Sequence, residues 1–333
     1  MTLMQSLLHL TNFRSPFLRT LVPSVSAAFA IQAAFAIPSI LAESERFYDF
    51  SGSLTFLSVT VLSLYLPSIR ARYAATALDG ARDVASRAPL PSIFAPFTSP
   101  GGVAALNWRQ VVLSGAVMFW AARLGTYLFQ RVLADGKDSR FDKIKTVPSK
   151  FAVAFFAQAT WVSLCLMPVV AVNSIPAAAF AALPPVKITD ILGLLIYAGG
   201  FSFEIIADRQ KSTWQAEKKA KVHDEEFLTK GLWSRSRFPN YFGEISLWTG
   251  IATTSFGLLA TRPIQSSLGL AFGLPGALTA AGLSYVSPAF VSLLLTKVSG
   301  IPLSESKYDK KFGDRKDYQE WKQNTPRLFP KLW

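Results

Sequence analysis

The sequence predicts an all-α fold: a multispan integral membrane helical bundle of about seven transmembrane helices. Three observations predict it. Half of the 333 residues are hydrophobic and only 17% are charged, with a mean hydropathy of +0.30, a balance outside the soluble globular range. Several uncharged stretches reach the roughly 20 residues that a helix needs to cross hydrocarbon. Lys and Arg, which give a net charge of +13, gather in the segments between those stretches.

Taken in order, residues 22–42 and 50–69 hold no charged side chain and are separated by Glu43, Glu45, Arg46 and Asp49, so they read as a helical hairpin. Residues 70–107 turn to Arg, Asp, Ser, Pro and Gly and read as a long loop outside the membrane core. A boundary near residue 105 divides this N-terminal hairpin and polar loop, 1–105, from a membrane domain, 106–333. The third span, about 110–132, carries Arg123 in its middle, which calls for a polar cavity, a partner or a snorkelling path. It runs into Arg131, Asp135, Gly136, Lys137, Asp138 and Arg140, a polar cluster at one membrane face. The fourth span, 151–172, is uncharged. The fifth, about 188–206, contains Gly193, Gly199 and Gly200, suited to close helix packing.

A charged loop, 207–242, precedes a sixth span at 244–261. The uncharged run 263–296 is too long for one straight crossing and slightly short for two. It reads as a re-entrant piece around Gly269–Gly276 and a seventh span at about 281–298. The tail after Pro302 is polar, with Tyr308, Phe312, Tyr318, Trp321 and Leu328 available to lie against the membrane surface.

Charge distribution sets an orientation. Lys and Arg number five in 135–150, eight in 207–242 and eight after Pro302, against one in 173–187 and one at Arg262. The three basic segments are therefore expected on the cytosolic side, although four arginines in 70–107 speak against strict alternation. This pattern of cytosolic loops leaves no single basic face for nucleic acid. A lone cysteine, Cys165, lies inside an apolar run and makes no intrachain disulfide, and His9 and His223 are too far apart to start a metal cluster. Residues 1–42 lack acids and carry Arg14 and Arg19 among Ser and Thr, as a mitochondrial presequence does, but the apolar run 22–42 exceeds a cleaved signal core. They read as a tail before a first helix.

Candidate chemistry concentrates in residues 204–244. Glu204 and Asp208 lie four apart, so in a continuing helix both carboxylates share a face, which Lys211 and Gln215 extend. The plain alternative is the solvated end of a span. Further on, Pro239 suits the first turn of a helix, where free backbone N–H groups attract anions. Just upstream, Arg235 and Arg237 can clamp phosphate oxygens. Asn240 and Glu244, again four apart, offer amide and carboxylate groups to a planar amide or a sugar hydroxyl. The residues fit a nucleotide phosphate, yet no Gly-rich Rossmann or P-loop fingerprint occurs.

At these residues the chain resembles the steroid 5α-reductase C-terminal domain superfamily and, within it, the DUF1295 group. The likeness covers about residues 105–330. It rests on Trp120, Arg123, Leu124 and Tyr127 leading to Asp135-Gly136-Lys137-Asp138-Ser139-Arg140-Phe141, and on Glu204, Asp208, Gln210 and Lys211. It continues through Gly231-Leu232-Trp233 to Pro239-Asn240-Tyr241-Phe242-Gly243-Glu244 and Trp248, and ends in Ser299-Gly300-Ile301-Pro302-Leu303, Tyr318, Thr325-Pro326 and Pro330.

The resemblance implies a seven-helix fold whose C-terminal helices hold NADPH from the cytosolic side while a hydrophobic, lipid-like substrate enters from the bilayer between the N-terminal helices. By position, Asn240 and Glu244 match cofactor-contacting residues and Asp208 an acidic cofactor-pocket residue. Glu204 stands where those reductases have asparagine. Phe238 replaces a histidine common in relatives, and the N-terminal residues that orient a steroid enone have no match, so steroid specificity is not implied. The activity implied is NADPH-dependent reduction of a carbon–carbon double bond, with Tyr241 as the local proton donor or, alternatively, an interfacial anchor. The endoplasmic reticulum is the expected membrane, the mitochondrial membrane the alternative.

Two rivals stand beside it. One is an S-adenosylmethionine-dependent membrane methyltransferase of isoprenylcysteine carboxyl methyltransferase type, which shares the Arg-x-Pro-x-Tyr turn, an acid at Glu305 and the ending Tyr318 to Pro330. The other is a non-catalytic membrane protein keeping the fold.

Overall fold

The computed structural model describes residues 3–78, 90–98, 106–135, 138 and 140–331. Gly136, Lys137 and Ser139, residues 79–89 and 99–105 of the expected 70–107 loop, and the proposed boundary near 105 lie outside the described residues. In chain order the helices are α1 (Leu3–Leu10), α2 (Pro16–Leu41), α3 (Tyr48–Leu78), α4 (Ala95–Thr98), α5 (Trp108–Asp135), α6 (Pro148–Asn173), α7 (Ala177–Phe180), α8 (Ile188–Lys219), α9 (Pro239–Leu259), α10 (Arg262–Leu268), α11 (Gly273–Leu293), α12 (Ile301–Phe312) and α13 (Lys316–Asn324). No strand occurs among the described residues, and the all-α prediction holds.

Among the described residues, six stretches are long and apolar enough to cross a membrane: within α2, α3, α5, α6 and α8, and from Gly273 through Phe312. The chain is an integral membrane protein. Helix α9, expected as the sixth span, has a span's length at 21 residues but is diluted by Glu244 and by several Ser, Thr and Gly, and it falls outside that set.

Several features differ from expectation: helix α3 continues to Leu78, through the start of the expected 70–107 loop. Helix α8 does not stop near 206 but runs to Lys219, because residues 207–219 contain no Gly or Pro. The uncharged run 263–296 contains a seven-residue helix, α10, closed by Gly269 in the left-handed region (φ 69°). A short break follows, and α11 then starts at Gly273 rather than near 281. Finally, the tail aromatics are not spread over a membrane face. Phe312 and Tyr318 are buried with Phe227, and Tyr308 and Trp321 pack against them. Burying several rings together removes more apolar surface from water than laying each on a headgroup layer.

The chain forms two compact units. The first comprises Met1–Lys187 and Ser255–Val286. In it α2 packs on α6 and α3, and α3 also packs on α5 and α6. Phe56 sits edge-on to both Trp120 and Trp161, with ring centroids 5.1 and 4.9 Å away. Between the helices polar side chains satisfy one another: Gln32 Nε2 donates to Thr55 Oγ1 at 2.7 Å, and Asn173 Nδ2 donates to Ser63 Oγ at 2.9 Å and Ser114 Oγ at 3.1 Å. Such pairs suit a lipid environment, where no water competes. Facing outward instead are large apolar side chains, among them Phe119 and Phe156, each 63% exposed.

At one end of this unit the acidic α2–α3 turn and the basic segment before α6 are tied. Glu45 Oε2 accepts from Lys145 Nζ at 2.9 Å, and Arg140 bridges Asp138 (2.6 Å) and Asp49 (2.8 Å). At the other end the buried Arg109 donates to the carbonyls of Pro184 and Pro185 at 3.0 and 3.1 Å. The second unit, Ile188–Thr254 and Ser287–Trp333, carries the candidate site.

Candidate functional site

Helices α8 and α9 meet through glycines. A Cβ on Gly243 would lie 2.7 Å from the Gly200 carbonyl oxygen, and one on Gly193 would lie 2.6 Å from that of Gly250. The seven-residue spacing on both helices puts each pair on one face, and the missing side chains let backbone touch backbone. Gly199, read from the sequence with the other two, has nothing within 4 Å. This contact fixes the start of α9 beside the middle of α8.

The connection between the two helices is then folded back onto α8. Gly231 has φ +61°, and its Cα approaches Gln210 so closely that a Cβ would lie 2.6 Å from the amide. Gln210 Oε1 accepts from the Leu232 N–H at 2.9 Å, and Trp233 Nε1 donates to the Ala207 carbonyl at 3.0 Å. Residues 235–237 pair with the C-terminal tail. The Arg237 N–H donates to Pro326 O (2.9 Å), the Lys331 N–H to Arg235 O (3.0 Å) and Ser236 Oγ to Leu328 O (2.8 Å). Pro239 then opens α9 and places Asn240 and Tyr241 in its first turn.

These elements, with α12 and α13, enclose a cleft of about 650 Å³, part of it open to solvent. It is lined by the polar side chains Lys211, Arg237, Asn240 and Glu305 and by the aromatic ones Trp214, Phe227, Phe238, Tyr241, Tyr308, Tyr318 and Trp321. The rings of Phe238 and Tyr241 lie parallel, with centroids 5.6 Å apart, and Lys211 Nζ lies 5.3 Å from the Trp233 ring centroid. Glu305 joins two arginines, Arg237 at 2.6 Å and Arg327 at 3.0 Å. Glu305 thus faces two guanidiniums, of which that of Arg237 belongs to the cleft lining.

The segment before Trp233 is held by further ion pairs, since Glu226 accepts from Lys218 at 2.9 Å and from Lys311 at 3.2 Å. These two lysines hold the exposed Glu226 carboxyl below its ordinary range. Burial, together with a hydrogen bond to Asp309 at 2.8 Å, pushes the Tyr318 phenol up, so it remains a neutral donor at physiological pH.

Three buried polar atoms among the lining residues have no hydrogen-bond partner among the described residues: Arg237 Nε, Asn240 Oδ1 and Trp321 Nε1. Buried polar atoms are almost always satisfied in a folded protein. Two N–H donors and one amide acceptor on residues that line one cleft thus stand out as unsatisfied.

Of the residues singled out from the sequence, Lys211, Arg237, Asn240 and Tyr241 come together on the cleft. Glu204 and Asp208 are buried, at 4% and 9% exposure, on the face of α8 that leads to Lys211, and they do not line it. Glu244, one turn beyond Asn240, and Arg235 are half-buried and also lie off the lining. The aromatic lining escaped sequence reasoning. Its signal was present in the i, i+3 spacing of Tyr318 and Trp321, but the rings read equally as a membrane-facing stripe.

Among protein families, the model described as "Protein of unknown function (DUF1295)" matches residues 88–325, more than two thirds of the chain. The chain belongs to the DUF1295 family. The DUF1295 match takes in every residue that lines the cleft and leaves out the α2–α3 hairpin. Comparison with curated proteins and with solved structures finds no match.

Proposed function

We propose that the cleft of the second unit binds NADPH and that the protein is a membrane reductase acting on a carbon–carbon double bond of a lipid-like substrate. The observation that carries this reading is a cleft lined by Lys211, Arg237 and Asn240 together with several aromatic rings, in which Arg237 Nε and Asn240 Oδ1 have no partner among the described residues. Phosphate oxygens suit Lys211 and Arg237, flat rings suit the aromatic lining, and a carboxamide N–H suits the Asn240 oxygen. Membership of DUF1295 and the resemblance to steroid 5α-reductases support the same assignment.

When bound, reduced nicotinamide would supply hydride to one carbon of an activated double bond. The chain's own part is to bind, orient and protonate. Arg237, steadied by Glu305, holds negative charge; Asn240 orients the ring amide; Tyr241, whose ring is fixed parallel to Phe238, donates the proton to the adjacent carbon or oxygen.

Equilibrium binding on the detergent-purified full chain tests the reading with NADPH, NADH and S-adenosylmethionine as probes. The expected result is saturable NADPH binding, weakened about tenfold or more by Arg237→Ala, which removes a charge-assisted contact, and several-fold by Asn240→Ala. Unchanged affinity in both variants overturns the assignment. Binding of S-adenosylmethionine alone would select the methyltransferase reading, whose expected acid, Glu305, lies on the cleft. Binding of none would select a scaffold.

A further inference from the structure

The end of the first unit at which α2 starts and α3 stops has a surface that the cleft does not use. Arg70, in α3, donates from Nη1 to the Leu8 carbonyl at 2.8 Å and from Nη2 to the carbonyls of Thr11 and Arg19, each at 3.1 Å. Leu8 lies in the last turn of α1, where carbonyls have no partner within the helix. The guanidinium therefore caps α1 and ties it to the start of α2. Ser15 Oγ adds a bond to the Leu268 carbonyl, at the end of α10, at 3.2 Å. Both ties stand at the edge of the hydrocarbon, since the apolar stretch of α3 ends at Ala74, one turn after Arg70, and that of α2 starts at Pro16. Helix α1 is thus held at headgroup depth.

Held there, α1 turns leucines outward. Leu7 and Leu10, three apart and so on one face, are 51% and 75% exposed. His9 points about 160° around the helix from Leu7. The connection from α3 to α5 repeats the pattern, with Phe94 and Phe97, also three apart, 67% and 57% exposed. Exposed leucines and rings at the ends of spanning helices suit the boundary between headgroups and acyl chains. The charge beside α1 has one sign. Residues 1–42 contain Arg14 and Arg19 and no acid. Arg14 is exposed and Arg19 donates its Nε to the Phe13 carbonyl. Neither has a carboxylate partner among the described residues.

We propose that α1, with Arg14 and Arg19, is an interfacial anchor that lies in the headgroup layer and binds anionic phospholipid. Leu7 and Leu10 enter the acyl boundary, and the uncompensated charge of the two arginines selects lipids of net negative charge.

The test uses the full chain in phosphatidylcholine nanodiscs, with a fluorescent thiol label at one added cysteine: Leu7→Cys, Leu10→Cys or His9→Cys. Native Cys165 is fully buried, and wild type carried through the same labelling corrects for it. Lipids that bear a nitroxide near the start of the acyl chain quench only labels at that depth. Quenching is expected to be about twofold or more stronger at positions 7 and 10 than at position 9. Nitroxide-bearing phosphatidylglycerol should quench position 10 about two- to fivefold more strongly than the same fraction of nitroxide-bearing phosphatidylcholine. Joint replacement Arg14→Gln and Arg19→Gln should remove that preference while leaving the contrast between positions 7 and 9. Equal quenching at the three positions, or none, overturns the anchor and leaves α1 facing water or a protein partner. Equal quenching by the two lipids in the wild-type background overturns the anionic-lipid assignment, as does a preference that survives the arginine replacements. Neither result bears on the cleft.

Discussion

Arg237 commits Nη1 to Glu305 at 2.6 Å while its Nε is buried with no acceptor among the described residues. The carboxylate that holds it also holds Arg327, so Glu305 screens two guanidiniums from one another at a site where Arg237 is only 12% exposed. Glu305→Ala would leave both positive charges facing each other without a counter-charge, an arrangement that costs about 1–3 kcal/mol when partly buried. The expected outcome is a lower melting temperature of the detergent-purified protein. An unchanged melt would show that the bridge contributes nothing. From sequence, Arg237 was legible as a candidate for anion binding because Pro239 follows it at a helix start. Its clamp by Glu305 was not, since the two lie 68 positions apart.

Helix α8 meets α9 over four glycines, and that contact sets where the cleft can form. Gly243→Ala would place its Cβ 2.6 Å from the Glu204 backbone nitrogen and 2.7 Å from the Gly200 carbonyl oxygen. Neither is the end of a flexible side chain, so the helices must separate, with an overpacking cost of about 1–3 kcal/mol and a shift of Asn240 and Tyr241 away from Lys211. Gly199→Ala meets nothing within 4 Å and is expected to be neutral or slightly stabilising. Parallel thermal melts and NADPH titrations separate the two. Equal melts for the two variants would mean that the glycine contact is not what sets the helix spacing. Sequence reading found the small residues on α8 but grouped Gly199 with Gly193 and Gly200, because composition alone does not say which side of a helix meets a neighbour.

At the scale of the whole molecule, ion pairs between the α2–α3 turn and the segment before α6 tie together parts of the first unit distant in sequence. Burial raises the Glu45 carboxyl, but Lys145 and the Asp138 N–H outweigh it and hold the group below its ordinary value near 4.5. The folded protein therefore binds that proton less readily than the unfolded chain does. The stabilising contribution is complete above about pH 4.5 and is lost as pH falls through the depressed folded value. Melting temperature measured from pH 7 down to pH 3 should decline on the acid side for the wild type. Glu45→Gln should start lower and decline less, and an identical acid limb in the variant would contradict the tie.

Hydropathy by itself determined that this chain lives in a bilayer and that it is helical. An apolar run of about 20 residues leaves the backbone no other way to satisfy its hydrogen bonds in lipid. Local patterns likewise marked Lys211, Arg237, Asn240 and Tyr241, because helix starts and adjacent charges are local facts. Only the tertiary structure decided that the tail aromatics close a cleft rather than lie on the membrane. It alone separated Glu204 and Asp208 from that cleft and set Glu305 between two arginines. Those outcomes depend on which faces pack across tens of residues, and no short window of sequence carries that information.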